Sequence, residues 1–189
     1  VINKIVNLIS IQNETILEVG PGTGNLTSHI LKKKPKKLYV IEKDNKLASI
    51  LSDKFKDQLI IINDDILNID ETLLFKDAVN VFGNLPYNIS TEILSKWIIN
   101  LKSNFWFNNL ILMFQKEVAD RIVAESNTSS YGRLSILSNW KLNIKKICDI
   151  KPEAFYPKPK VDSSLLHFSP KKCFVKIKNP ENLEVITRV

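Results

Sequence analysis

Ile16-Leu-Glu-Val-Gly-Pro-Gly-Thr-Gly24 passes from a buried-strand pattern into a glycine turn, and Asn25 to Lys33 follows with apolar residues at helical spacing. Strand, glycine turn and helix together open an α/β sheet that binds its ligand beyond the carboxyl ends of its strands. Glycines at such a turn let the backbone approach a ligand with no Cβ in the way. Their spacing argues about identity. A dinucleotide fingerprint wants glycines at its first, third and sixth positions, whereas here they stand at Gly20, Gly22 and Gly24, with Asn25 at the sixth. Glu18 would repel a pyrophosphate but can accept hydrogen bonds from an amino-acid ammonium or a bound water, which favours S-adenosylmethionine over NAD.

Working outward, Lys37 to Glu42, Leu59 to Asn63, Asn80 to Gly83 and Leu110 to Phe114 read as further buried strands. Between them Asn45 to Phe55, Thr91 to Leu101 and Lys116 to Ala124 space their apolar residues as helices, with Ser90 or Thr91 expected as a cap. This alternation predicts a mostly parallel sheet covered on both faces. After Ser126 the pattern changes to a short helix around Leu134 to Trp140 and two strands, Asn143 to Ile150 and Ser163 to Phe168, expected as an antiparallel pair. Pro152, Pro157 and Pro159 confine the connection between them to a loop, because proline cannot donate to a ladder. Val1 enters directly into a helical pattern, and Leu183 to Val189 reads as a helix stopping after about two turns, so both ends are expected to be cut.

Carboxylates recur where successive strands end. Glu18 precedes the first turn, Glu42 closes the second strand with the geometry to take two ribose hydroxyls, and Asp64 or Asp65 closes the third, where one can accept an adenine amine. Asn84-Leu-Pro-Tyr87 follows the fourth strand and should share that edge. An exocyclic adenine amine is a weak nucleophile, since its lone pair is delocalised into the ring. Acceptors from the Asn84 side chain and the Leu85 carbonyl would hold that lone pair toward a methyl donor, Pro86 would stiffen the turn, and Tyr87 would stack the base. Phe155-Tyr-Pro-Lys-Pro-Lys-Val161 sets aromatic rings beside Lys158 and Lys160, as a loop that stacks a base and meets phosphates would.

The net charge of +7 is uneven: residues 1 to 140 hold 16 basic and 15 acidic side chains, and residues 141 to 189 hold 11 and 5. A basic region beside a neutral body suits a polyanion partner. No apolar run reaches the roughly 20 residues of a membrane span, and no secretory signal opens the chain, so a cytoplasmic protein is expected. Cys148 and Cys173 lie far apart with no nearby histidine pair, and His29 and His167 are isolated, so neither a disulfide framework nor a metal site is expected.

In order along the chain, Ile16 to Gly22, Val40-Ile-Glu42, Phe82-Gly-Asn-Leu-Pro-Tyr-Asn-Ile-Ser-Thr91, Gln115-Lys-Glu-Val118, Tyr131-Gly-Arg-Leu-Ser135 and Phe155 to Ser163 resemble the successive blocks of the ribosomal RNA adenine N6-dimethyltransferases of the kasugamycin-sensitivity type. The block around Asn84 is the most specific. The resemblance implies a Rossmann-like S-adenosylmethionine-dependent methyltransferase fold over residues 1–170, with 171–189 beginning a small helical C-terminal domain. It implies transfer of two methyl groups to each of two adjacent adenines near the 3′ end of small-subunit ribosomal RNA, in an assembling subunit, by a monomer without metal. By motif, Gly20, Glu42, Asp65 and Asn84 would contact the cofactor, and Asn84, Leu85, Tyr87 and Phe155 would hold the target adenine. The reading of the turns and of the proline loop adds Glu18 and Gly22 to the cofactor site, Pro86 to the catalytic turn from Asn84 to Tyr87, and Lys158 and Lys160 to the RNA contacts. Three alternatives are a large-subunit methyltransferase of the erythromycin-resistance type, a non-enzymatic relative of the mitochondrial transcription-factor type, and a nicotinamide oxidoreductase. Leu85 and Asn88 to Thr91 lean away from the first, intact Asn84 and Tyr87 from the second, and the glycine spacing from the third.

Overall fold

The structure is a computed structural model that describes residues 1–101, 105–155, 158–180 and 182–183. The chain forms two compact units, the first made of Val1–Leu85 with Trp106–Leu112 and the second of Pro86–Phe105 with Met113–Val189.

In the first unit, strands β1 (Thr15–Val19), β2 (Lys37–Ile41), β3 (Ile60–Ile62), β4 (Val79–Gly83) and the larger part of β5 (Phe107–Gln115) run parallel in the order β3-β2-β1-β4-β5. The apolar runs of β1, β2, β4 and β5 are largely buried because a parallel sheet is covered on both faces, whereas Ile60–Ile62, expected as a buried strand, lies at the sheet edge as β3 and is exposed at Ile60 and only half-buried at Ile61 and Ile62. Ile16, Leu17, Val40, Val81, Phe82 and Leu110 are all fully buried, at about 1.5–3 kcal/mol each. Helix α1 (Ile2–Ile5) precedes β1, α2 (Asn25–Leu31) follows it, α3 (Asn45–Phe55) follows β2, and the single turn α4 (Glu71–Leu74) leads into β4. Asp44 starts α3 by accepting the backbone N–H of Lys46 and Leu47 at 2.8 and 3.0 Å, which satisfies two otherwise orphaned donors.

Strand β5 is longer than the apolar pattern predicts. Asn108 and Asn109 do not end it, because their amides donate to Ala78 O at 3.2 Å and Asn80 Oδ1 at 2.8 Å; a polar residue whose bonds are met can sit in a half-buried strand.

The second unit contains α5 (Ser90–Ile99), the last residues of β5, α6 (Lys116–Ile122), α7 (Arg133–Lys141), β6 (Leu142–Ile150) and β7 (Ser163–Pro170). The last two pair antiparallel, as expected, with Leu142 opposite Pro170 and Ile150 opposite Ser163. They complete a mixed sheet of order β3-β2-β1-β4-β5-β7-β6. One expectation is corrected. Neither Ser90 nor Thr91 caps α5: the cap position is Ile89, whose N–H bonds Pro86 O at 3.1 Å, while the Ser90 hydroxyl donates to Tyr87 O. The turn that Ile89 N–H closes on Pro86 O starts the helix without a side-chain cap.

Lys141 is almost fully buried and donates to the carbonyls of Ile98 and Leu101 at 2.9 and 2.7 Å, closing the carboxyl end of α5. Its ammonium also lies 3.9 Å from the centre of the Trp140 ring. Burial lowers its pKa from 10.5 to about 8. Of the terminal helix expected over Leu183 to Val189, Leu183 is helical, as is Asn182 before it, and the remainder lies outside the described residues, as do Tyr156 and Pro157 of the proline loop. No helix among the described residues is long and apolar enough to cross a membrane.

Candidate active site

Parallel pairing decides where the first unit's chemistry gathers. Val19 is opposite both Ile41 and Gly83, and Ile41 is opposite Ile62, so four neighbouring strands end level at one edge. Gly20, Glu42, Asn63 and Asn84 are the next residues, and Gly20 N–H and Glu42 N–H extend the ladder by bonding Ile41 O and Ile62 O. β1 is flanked by β2 and β4, which the chain visits in opposite directions from it; this is the switch point at which open α/β sheets bind ligands.

The turn after β1 is left-handed at all three glycines, with φ of 68° at Gly20, 57° at Gly22 and 79° at Gly24, a region that other L-residues seldom occupy. They differ in surroundings. A Cβ on Gly22 would meet nothing within 4 Å, so this backbone borders open space, whereas a Cβ on Gly24 would lie 2.4 Å from the Phe55 ring. Gly22 N–H donates to Glu42 Oε2 at 3.2 Å and Asp44 N–H to Glu42 Oε1 at 3.0 Å. Glu42 thereby ties the glycine turn to the end of β2 and keeps lone pairs for hydroxyl donors.

Glu18 is 1% exposed, and its Oε2 and the neighbouring Thr27 Oγ1 have no hydrogen-bond partner among the described residues. Burial raises its pKa from 4.5 to about 7, the Thr27 side chain and backbone offset part of this, and the charge of Glu42 adds to the rise. A buried carboxyl with an orphaned oxygen beside an open glycine turn fits a cationic amino group better than a phosphate. The folded protein binds this proton more tightly than the unfolded chain, so Glu18's stabilising contribution is present below pH 4.5 and is lost as pH rises through 7. Glu18→Gln is therefore expected to gain on the parent between pH 5 and 8, by up to about 3 kcal/mol. Parallel thermal melts of the two proteins across that range check it, and a constant difference would contradict the raised pKa.

Asp65 accepts Leu67 N–H at 3.0 Å through one oxygen and pairs with the exposed Lys43 at 2.7 Å through the other; Asp64 accepts Asp65 N–H at 2.6 Å. Both acids are held by side-chain bonds, Asp65 through both oxygens and Asp64 through one. Asn84 is exposed, and its amide bonds no protein group among the described residues. Leu85 is buried, its methyls 2.8 Å from where a Cβ on Gly83 would stand, so the side chain anchors the turn while its backbone stays at the sheet edge.

In the second unit, the Tyr87 hydroxyl shares a 2.6 Å hydrogen bond with Ser163 Oγ, and Tyr87 lines a cleft with Val161 and Asp162. Phe155 is half-buried after a one-turn 3-10 helix, Pro152–Ala154, and is not among the residues lining that cleft. Lys158 pairs with Glu153 at 2.6 Å, and Lys160 is exposed. Sequence reasoning does not identify Thr27 beside Glu18, Lys43 on Asp65 or Ser163 on Tyr87. The last lies 76 residues from its partner, with no local signal except its place at the end of the proline loop.

The family model for ribosomal RNA adenine dimethylase matches residues 1–189. A curated relative from Pelagibacter ubique, ribosomal RNA small subunit methyltransferase A, is 65% identical over 189 residues, covering 100% of this chain and 72% of the relative. Among solved structures, a dimethyladenosine transferase from Plasmodium falciparum is similar with a TM-score of 0.79 and 31% identity, over 90% of this chain and 61% of that one. The 23S rRNA methyltransferase ErmE has a TM-score of 0.75 at 22% identity, over 98% and 74%, a likeness of fold alone. With a family match along its whole length and a relative this similar, the chain belongs to the ribosomal RNA adenine dimethylase family.

Proposed function

We propose that this protein transfers methyl groups from S-adenosylmethionine to the N6 amines of two adjacent adenines near the 3′ end of small-subunit (16S) ribosomal RNA, giving N6,N6-dimethyladenosine during subunit assembly. The observation that carries this reading is the placement of Asn84, an exposed amide with no partner among the described residues, one strand from the glycine turn. Family membership and the 65% identity to a small-subunit enzyme support it over the large-subunit alternative. The protein acts in the cytoplasm as a monomer, and residues 1–170 form its catalytic domain, with 171–189 beginning a helical one.

When bound, S-adenosylmethionine supplies an electrophilic methyl group. Glu18 and the turn from Gly20 to Gly22 hold its amino-acid end, Glu42 its ribose hydroxyls and Asp65 its adenine amine. The Asn84 side-chain oxygen and the Leu85 carbonyl accept hydrogen bonds from the target amine. That draws its nitrogen toward a tetrahedral shape with the lone pair aimed at the donor. Pro86 fixes the turn, and Tyr87 stacks the base, with its hydroxyl anchored on Ser163. Phe155, Lys158 and Lys160 add stacking and phosphate contacts. No strong base is needed, because the methylated nitrogen is cationic and sheds its proton readily.

Isotopically labelled cofactor incubated with unmethylated small subunits tests the assignment: label should appear on two adjacent adenines near the 3′ end. Label confined to large-subunit RNA would replace this reading with the alternative. For Tyr87→Ala, an increase of about tenfold or more in KM for RNA is expected from lost stacking, with cofactor affinity unchanged. Steady-state kinetics with RNA varied check this, and an unchanged KM would remove Tyr87 from the base site.

A further inference from the structure

We propose that the cleft of the second unit holds the nucleotides flanking the target adenine in single-stranded RNA, with Tyr131 as a stacking platform and Arg121 on the phosphate backbone. The inference rests on the reading that the substrate is RNA and extends it to a place outside the residues assigned above.

The cleft has a volume of about 1160 Å³, beyond the roughly 300–1,000 Å³ of pockets for single small ligands. One base on Tyr87 fills only part of it. Because Tyr87 forms part of its wall, a strand that lays its adenine on that ring has the rest of the cleft for its neighbours.

Tyr131 has the ring for a second base. It is 42% exposed, and its backbone is fixed by a turn in which Tyr131 N–H bonds Thr128 O at 3.1 Å and Thr128 Oγ1 bonds Glu125 O at 2.7 Å. No aromatic or cationic group covers it among the described residues. A large ring held partly in water on a concave wall gains apolar contact when a base stacks on it.

The charges lining the cleft are Lys116, Arg121 and Arg133 against Glu117, Asp120 and Asp162. Two of the acids are already neutralised: Asp120 pairs with Lys116 at 2.6 Å and Lys146 at 2.7 Å, and Asp162 with Lys151 at 2.6 Å. Arg121 is exposed on α6 with no ion pair among the described residues. The lining charges balance, three against three. Such a cleft is too weakly charged to hold a duplex, and it suits a flexible strand held by stacking with one or two phosphate contacts.

A fluorescent hexaribonucleotide with two adjacent central adenines, titrated by anisotropy at several salt concentrations, tests the proposal. Tyr131→Ala is expected to weaken binding about tenfold or more and Tyr131→Phe to restore it. Arg121→Gln is expected to reduce the slope of log affinity against log salt by about 0.7. Calorimetric affinity for S-adenosylmethionine should be unchanged in all three. If the parent binds the hexamer and Tyr131→Ala binds it equally well, or Tyr131→Phe is as weak as Ala, Tyr131 is not a stacking platform and the proposal is overturned while the RNA reading stands. An unchanged salt slope removes Arg121 from the backbone. A parent protein that binds cofactor and not the hexamer overturns the RNA reading and the cleft's role with it; displacement of the hexamer by an aromatic peptide would assign the cleft to a protein partner instead.

Discussion

Replacing Asn84 with alanine is expected to lower the turnover number for methyl transfer by about 10²–10³-fold, with little change in the affinity for cofactor or RNA. The amide contributes most when the target nitrogen has begun to pyramidalise and its hydrogens have become more acidic, so its loss raises the barrier more than it weakens the ground state. A single preorganised hydrogen-bonding group in a dry site is worth roughly that factor elsewhere in enzymology. The fold should not suffer, because the side chain is exposed and bonds no protein group among the described residues, and surface changes of that kind cost within about 0.5 kcal/mol. Asn84→Asp retains an acceptor oxygen and should keep more activity than alanine. Single-turnover rates with labelled cofactor, alongside thermal melts, make the comparison. A variant that methylates at close to the parental rate would remove Asn84 from the reaction and leave its strand-end position without a chemical role.

Gly24→Ala carries the largest expected effect on stability. Two costs add. The backbone φ of 79° is unfavourable for any residue with a Cβ, at about 1–2 kcal/mol, and the new methyl would stand 2.4 Å from Cε2 of Phe55 and 3.0 Å from a Leu51 methyl. Phe55 and Leu51 are both buried in the face of α3, so neither can swing into solvent, and overpacking of this kind costs a further 1–3 kcal/mol or so. A loss of roughly 2–5 kcal/mol should lower the melting temperature by about 5–15 °C in a chain of this length. Gly22→Ala is the informative control. It shares the left-handed backbone but faces open space, so only the first cost applies to its stability, while cofactor affinity should fall because the methyl enters the space that the ligand needs. Melting curves and calorimetry on the two variants separate the roles. Equal destabilisation would mean that strain alone, and not the packing of Phe55, demands glycine at position 24.

Much of the architecture is legible without coordinates, and the reasons are local. Asn45 to Phe55 is predicted and observed with identical bounds, because the apolar spacing of Leu47, Ala48, Leu51 and Phe55 marks one face, and the structure adds Asp44 as its cap. The ends of the first four strands are legible because each apolar run stops at a residue, Gly20, Glu42, Asn63 or Asn84, that a buried strand would not tolerate without special bonds. Where such bonds exist the reading fails. Asn108 and Asn109 lie inside β5 because partners on the neighbouring strand accept their protons, and Ser90 is not a cap because Pro86 has already turned the chain.

The candidate site divides along the same line. Which residues carry the chemistry follows from residue type and from position after a strand, and Glu18, Glu42 and Asn84 need only the rule that parallel strands deliver their carboxyl ends to one edge. The protonation of Glu18 does not follow, since it depends on how completely α2 and the sheet exclude water from that carboxyl. Nor does the state of Asp65, which Lys43 pairs from 22 residues away, or the anchoring of Tyr87 by Ser163. Periodicity and turn chemistry act between neighbours in the chain, so the sequence by itself determined the order of strands and helices and the edge at which the acids and the amide meet. Desolvation, long-range hydrogen bonds and the opening of the Tyr131 cleft depend on groups brought together from distant positions. Those were decided only when the chain had folded.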